Sequence, residues 1–150
     1  MRKSFIKIIT IIFVSFISCG CGEKEILTPN AFSAILKNRD FQIVDLSEQY
    51  KNNKKINTVV IGKNKDYQIE YFIMKNEEDA INLFEENIKY IKDNNTVSET
   101  KKEGSNYQKN IFISKQKYYA IVKVAHTFLY AEADVDNIEE INEVLEEMNY

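Results

Sequence analysis

The chain is short of the residues that most chemistry needs. It has one histidine, no tryptophan and one proline, and its two cysteines, Cys19 and Cys21, both lie near the start. With no thiol after residue 21, the body of the chain forms no internal disulfide and holds no Cys–His zinc site. It must be stabilised by its core. No G-x-S-x-G motif is present, which excludes a nucleophile elbow. Beyond residue 22 only Gly62 and Gly104 occur, isolated from each other, so no glycine-rich loop can cradle a phosphate. The single His126, between Val124 and Phe128, reads as a core or half-buried strand residue with its ring nitrogen satisfied rather than a general base. The expectation is a protein without catalytic residues and without a cofactor.

Strong positive charge is missing too. The whole chain carries 20 basic and 23 acidic residues, a net charge of −3. Arg2, Lys3 and Lys7 sit in its first 18 residues, where there is no acid, so the remainder is more acidic still. This argues against nucleic acid or an anionic wall polymer as an electrostatically held partner.

Only one long apolar run occurs. The basic start leads into Ile8–Ile17, ten mostly Ile, Phe and Val residues, closed by Ser18-Cys19. A spanning helix takes about 20 apolar residues, and Gly20, Gly22, Glu23, Lys24 and Glu25 end this run at once. The layout is that of an export signal. Phe16-Ile17-Ser18-Cys19 resembles the lipobox of bacterial lipoproteins, although Phe16 stands where that family usually has Leu, Val or Ile. Cys21, preceded by Ser18-Cys19-Gly20, is the alternative lipid attachment site. The resemblance implies cleavage before the cysteine and a diacylglyceryl group on its sulfur. The expected partner is then the lipid bilayer, at the outer face of the bacterial cytoplasmic membrane. Residues 1–18 read as signal peptide, 19–27 as lipidated tether and 28–150 as a single domain. Gly20 to Leu27 would reach at most about 28 Å.

Within the domain, Thr28-Pro29 opens a helix, with Thr as N-cap and Pro at the first helical position. Phe32, Ile35 and Leu36 form its stripe. Phe41, Ile43 and Leu46 predict a short strand, and Ser47–Lys55 a loop. Strands follow over Asn57–Gly62 and Tyr67–Lys75, joined by Lys63-Asn64-Lys65-Asp66 as a hairpin turn. Asn76 caps a second helix, with Asp79 three residues on and Ile81, Phe84, Ile88 and Ile91 on one face. Asp93-Asn94-Asn95 stops it, and Thr96–Asn106 reads as a loop. Tyr107–Ser114 and Lys117–Asp134 read as strands, the second long, with Ala120, Val122, Val124, His126, Phe128 and Tyr130 alternating onto one face. Asp136 and Glu139 form a D-x-x-E capping signature for a last helix striped by Ile138, Ile141, Leu145 and Met148.

Val59–Phe72 aligns without gaps to Ile111–Val124, and each hairpin is read as followed by a helix. The expected fold is therefore α+β, in the order α-β-ββα-ββα with a possible pseudo-repeat. It would be a two-layer arrangement, an antiparallel sheet of about five strands with three helices mainly on one face.

Surface candidates remain. Asp134, Asp136, Asn137 and Glu139 bring oxygen ligands together, but the glycine of a calcium loop is missing, since Glu139 stands at the sixth position. Glu139, Glu140, Glu143, Glu146 and Glu147 fall opposite the last helix's apolar stripe and form a candidate interaction surface. Lys51, Lys54, Lys55, Lys63 and Lys65 could make a basic patch toward anionic headgroups if loop and turn share one end. Tyr67, Tyr71, Tyr107, Tyr118, Tyr119 and Tyr130 lie on predicted strands, where they serve packing as readily as binding. The pattern from Tyr107 through Tyr118-Tyr119, Val122-Lys123-Val124 and Thr127-Phe128-Leu129-Tyr130 to Met148-Asn149-Tyr150 is similar to small uncharacterised clostridial-type lipoproteins. The expected function is a membrane-anchored, non-enzymatic binding or accessory module of the cell envelope, using the sheet face or the acidic helix to engage another envelope protein. A carrier of a small apolar ligand and a carboxylate-based hydrolase are the alternatives. Oligomeric state is left open.

Overall fold

The structure, a computed structural model, describes residues 23–94 and 98–150. The signal, Cys19, Cys21 and the Asn95–Thr96 boundary lie outside the described residues. The elements run α1 (Pro29–Lys37), β1 (Gln42–Asp45), α2 (Ser47–Tyr50), β2 (Ile56–Lys63), β3 (Gln68–Met74), α3 (Glu77–Asn94), β4 (Ser98–Glu103), β5 (Tyr107–Ile113), β6 (Lys117–Val124), β7 (Thr127–Asp134) and α4 (Ile138–Glu147).

Helix starts follow local chemistry in two cases. Thr28 Oγ1 accepts from the Ala31 N–H at 3.1 Å, and Pro29 opens α1. Asn76 Oδ1 accepts from the Asp79 N–H at 2.8 Å, while Asn76 Nδ2 donates to the Asp79 carboxylate, also at 2.8 Å. The α4 start differs from expectation. The chain enters through a 3-10 turn, Val135–Asn137, and neither Asp134 nor Asn137 makes a side-chain cap, so the Asp136/Glu139 box does not form as read. Ser47–Tyr50, expected within a loop, makes one helical turn, begun where Asp45 accepts from the Ser47 N–H at 2.8 Å.

The α+β class stands, with corrections to its count and layering. The sheet has seven strands in the order β1-β2-β3-β7-β6-β5-β4, and every pairing is antiparallel. Two strands were missed. β4 is the polar run SETKKE, almost wholly exposed, an edge strand whose charges oppose further pairing. The long strand Lys117–Asp134 is really a hairpin, β6 and β7, turned at Ala125-His126 and closed by the Val124–Thr127 pair. Ala125 holds φ 47°, the left-handed conformation a tight hairpin requires. Its N–H donates to the Asn106 carbonyl at 2.8 Å, and the His126 carbonyl accepts from the Met74 N–H at 2.9 Å. His126 therefore sits half-buried in a turn, not in a core strand.

That turn resets the alternation. Tyr118, Ala120, Val122 and Val124 of β6, with Leu129, Ala131 and Ala133 of β7, pack under Phe32 and Leu36 of α1 and Ile141, Val144 and Leu145 of α4. Tyr119, Ile121 and Phe128 point to the other face, where Phe84 and Ile91 of α3 cover them. Helices thus cover both faces, in three layers rather than two, and four helices replace the expected three.

The strand order reads the same inward from either edge. The α1-β1-β2-β3 run approaches β7 from one side and α3-β4-β5-β6 from the other, with their helices on opposite faces. The second hairpin is followed by β7 and not by a helix. Both hairpin turns are closed by a short polar side chain: Asn64 Oδ1 accepts from the Tyr67 N–H at 2.8 Å, and Ser114 Oγ from the Lys117 N–H at 2.9 Å. This pairs Asn64 with Ser114, whereas the ungapped alignment pairs it with Gln116.

Candidate functional site

The acidic helix face is only partly available. Arg39, just past α1, reaches across to α4 with Nη2 2.6 Å and Nε 3.1 Å from Glu147 and Nη1 3.3 Å from Glu143. This contact holds the Glu147 carboxyl below its ordinary range and raises the guanidinium. Glu140 is half-buried beside the Tyr67 hydroxyl, which is pushed upward first by burial and then by that carboxylate. Glu139 and Glu146 remain exposed. The five glutamates therefore divide between a staple holding α1 to α4, a buried corner and open surface.

Other candidates are dispersed. Asp134, in the calcium set, pairs with Lys117 at 3.1 Å. Lys54 and Lys55 precede β2 while Lys63 and Lys65 lie at its far end, so the lysines do not form one patch; eight strand residues span about 26 Å. His126 borders an open depression of about 580 Å³ with Asn57, Lys75, Asn76 and Glu77. The tyrosines are mostly packing residues. Tyr71 and Tyr118 are fully buried, the first donating to the Leu27 carbonyl and the second to Asn142 Oδ1 at 2.7 Å.

What remains open is part of the sheet. Helix α3 lies across β6, β7 and β3 and packs far less on β1 and β2. Val44 of β1 is 40% exposed, and its register neighbour Ile61 of β2 is half-buried. Between α3 and the start of β2 runs a trough of about 140 Å³, floored by Ile56, Phe72, Met74 and Leu83 and edged by Lys55, Asp79 and Glu86.

Polar groups bound this apolar strip toward the β2–β3 turn. Glu70 of β3 pairs in register with Tyr130 of β7, and Gln68 with Glu132. Gln68 Nε2 donates to Glu70 Oε1 at 2.6 Å. The Tyr130 hydroxyl donates to Glu132 Oε2 at 2.9 Å, and Lys117 Nζ lies 3.5 Å from Glu132 Oε1. Burial and then the nearby Glu132 charge raise the Glu70 carboxyl, against the opposing Gln68 bond. Tyr130 is likewise raised by burial and then by Glu132. An apolar strip ending in two carboxylates suits recognition of a surface that offers apolar groups beside a donor or cation.

Reading the sequence missed Glu70 and Glu132. A signal does exist in β3: positions 68 and 70 are polar while 72 and 74 are Phe and Met, so one face changes character along a single strand.

A seven-stranded antiparallel sheet covered by helices on both faces defines the architecture. No protein-family model and no curated protein matches the chain. A solved structure, that of a GTP binding regulator from Thermotoga maritima, is 16% identical and covers 85% of this chain and 89% of that one, with a TM-score of 0.46. A likeness at that level carries no argument about function.

Proposed function

We propose that the protein is a membrane-anchored extracytoplasmic lipoprotein that acts as a non-enzymatic binding module of the cell envelope, with the open sheet face beside α3 as its contact surface. The observation that carries the contact surface is the apolar strip of Val44, Ile61 and Phe72, which α3 leaves partly uncovered and which ends at Glu70 and Glu132. The anchor rests on the Phe16-Ile17-Ser18-Cys19 run and the apolar segment before it. The trough of about 140 Å³ on this face is smaller than the ~300–1,000 Å³ of small-molecule sites, and the depression of about 580 Å³ at His126 is open and edged by Asn57, Lys75, Asn76 and Glu77; neither is an enclosed apolar chamber, which favours a protein partner.

Two measurements test this reading. Mass spectrometry of the mature N-terminus should find a diacylated Cys19; an unmodified terminus produced by cleavage elsewhere refutes the anchor. A photo-crosslinking residue placed at Val44 should capture an envelope protein from intact membranes, and one at Lys115 should not. Equal capture at both positions refutes the surface.

A further inference from the structure

We infer that the lipidated protein stands on the bilayer on one end of its sheet, the end carrying turns 104–106 and 125–126, because the chain is clamped there directly after the anchor. The inference rests on the lipoprotein reading above and adds the orientation of the domain.

Residues 24–27, expected in a tether, are bonded to the body of the domain. The Lys24 N–H donates to Asn106 Oδ1 at 2.9 Å, and Asn106 Nδ2 donates back to the Lys24 carbonyl at 2.9 Å. Lys24 Nζ lies 2.5 Å from the Asn149 carbonyl and 5.0 Å from the centre of the Tyr107 ring. The Leu27 N–H donates to the Tyr150 hydroxyl at 3.4 Å, and the Leu27 carbonyl accepts from Tyr71. The chain is therefore held to the domain from Lys24 onward. From Cys19 that leaves at most about 18 Å of reach, and from Cys21 about 11 Å.

The clamp is at the Asn106 end of β5, and the Ala125 N–H joins the neighbouring turn to it through the Asn106 carbonyl. The opposite turns, at Asn64–Asp66 and Ser114–Gln116, lie a strand length further off, about 23 Å for β5. Charge disfavours lying flat. One face of the sheet is covered by α1 and α4; residues 138–147 of α4 include five glutamates and no basic residue, and of the five Glu143 and Glu147 are paired with Arg39. The other is covered by α3, which carries Glu77, Glu78, Asp79, Glu85, Glu86 and Asp93 against Lys89 and Lys92. An anionic leaflet repels both helices. The clamped end presents Lys54, Lys55, Lys75 and Lys102, all exposed. Glu23, Glu77, Glu78 and Glu103 share that end, so charge is balanced there and the clamp positions the domain.

Amine acylation followed by peptide mass spectrometry reads the orientation on the protein as it exists. The mature lipoprotein is labelled in phosphatidylcholine–phosphatidylglycerol vesicles and again in detergent. Lys54, Lys55, Lys75 and Lys102 should label several-fold more slowly in vesicles, while Lys63, Lys65 and Lys115 keep their rates. Asn106→Ala, which removes both backbone bonds to Lys24, combined with Lys24→Ala, which removes the contacts with Asn149 and Tyr107, should shrink that difference with the diacylated N-terminus unchanged. Equal protection at both ends of a diacylated protein overturns the orientation and leaves the anchor intact. A protein with no diacyl group overturns both, and the N-terminal peptide distinguishes the two failures.

Discussion

Gly62 is the position where adding one carbon should be felt most. It lies in β2, between Ile43 of β1 and Ile69 of β3, on the face covered by α1. A Cβ built there would stand 2.2 Å from Leu36 Cδ1, 3.4 Å from Cγ and 3.5 Å from Cβ. Leu36 is fully buried among Phe32, Phe41 and Val60, so its methyl has no solvent to swing into. Overpacking of this kind costs about 1–3 kcal/mol. Replacing glycine by alanine returns about 0.5–1 kcal/mol by narrowing the unfolded ensemble. Gly62→Ala should therefore lose about 1–2 kcal/mol, some 1 M of urea midpoint at an m-value of about 1–2 kcal/mol/M. Leu36→Ala alone should lose about 2–5 kcal/mol through its cavity. In the double variant the new methyl enters that cavity, and the two losses should fall short of additive by about 1–2 kcal/mol. Urea unfolding of a chain starting at Glu23, followed by far-UV circular dichroism, completes the cycle. Additive losses, or a Gly62→Ala variant as stable as the parent, would refute the close approach of α1 to β2.

Three shorter predictions concern charge. The Lys123 side chain is 5% exposed and its Nζ lies 2.9 Å from Glu77 at the start of α3; Glu77→Ala should cost about 1–3 kcal/mol by leaving that ammonium unpaired, whereas Lys123→Met should cost less, an order that denaturant midpoints check. Glu70 is raised in the fold, so its ionised form opposes folding above the folded pKa, and the penalty vanishes once pH falls below the ordinary carboxylate range. Glu70→Gln, which keeps an oxygen for Gln68, should accordingly unfold at higher urea than the parent at pH 7 and at the same urea near pH 3; an advantage equal at both pH values would exclude ionisation as the cause. Arg39→Ala should lower stability by about 0.5–1.5 kcal/mol, less at 1 M salt, because the contact with Glu143 and Glu147 is largely exposed; a loss unaffected by salt would mean that the guanidinium acts through packing.

Much of the fold was legible where the signal is local. Thr28-Pro29 and Asn76 with Asp79 are caps written into consecutive residues, and both form as read. The misses share another cause. β4 carries no apolar residue and exists because the edge of β5 accepts it, which is tertiary information. Ala125 occupies a left-handed turn position without being Gly, Asn or Asp, so nothing in the sequence marked the β6–β7 corner. With that corner unseen, the alternation through His126 to Phe128 and Tyr130 was carried onto the wrong face, and the second helix layer was lost with it. The lysine patch failed for a similar reason: Lys55 and Lys63 are close in sequence but separated by the length of β2.

Layering was nevertheless encoded, in how far each strand departs from alternation. β6, KYYAIVKV, is buried at every position after Lys117, including Lys123. A strand that admits apolar side chains at consecutive positions needs cover on both faces, so its YYAIV run already implied helices above and below. β3, QIEYFIM, alternates through Phe72, with Ile69 and Tyr71 buried and Gln68, Glu70 and Phe72 half-buried, and the alternation breaks at half-buried Ile73 and buried Met74. On the face that α3 crosses, polar Gln68 and Glu70 give way to Phe72, which packs against the cluster under α3, and to buried Met74. The edge of the helix layer can therefore be located within β3, between Glu70 and Phe72. The proposed contact surface lies along that edge because coverage stops there while Val44, Ile61 and Phe72 still offer apolar atoms.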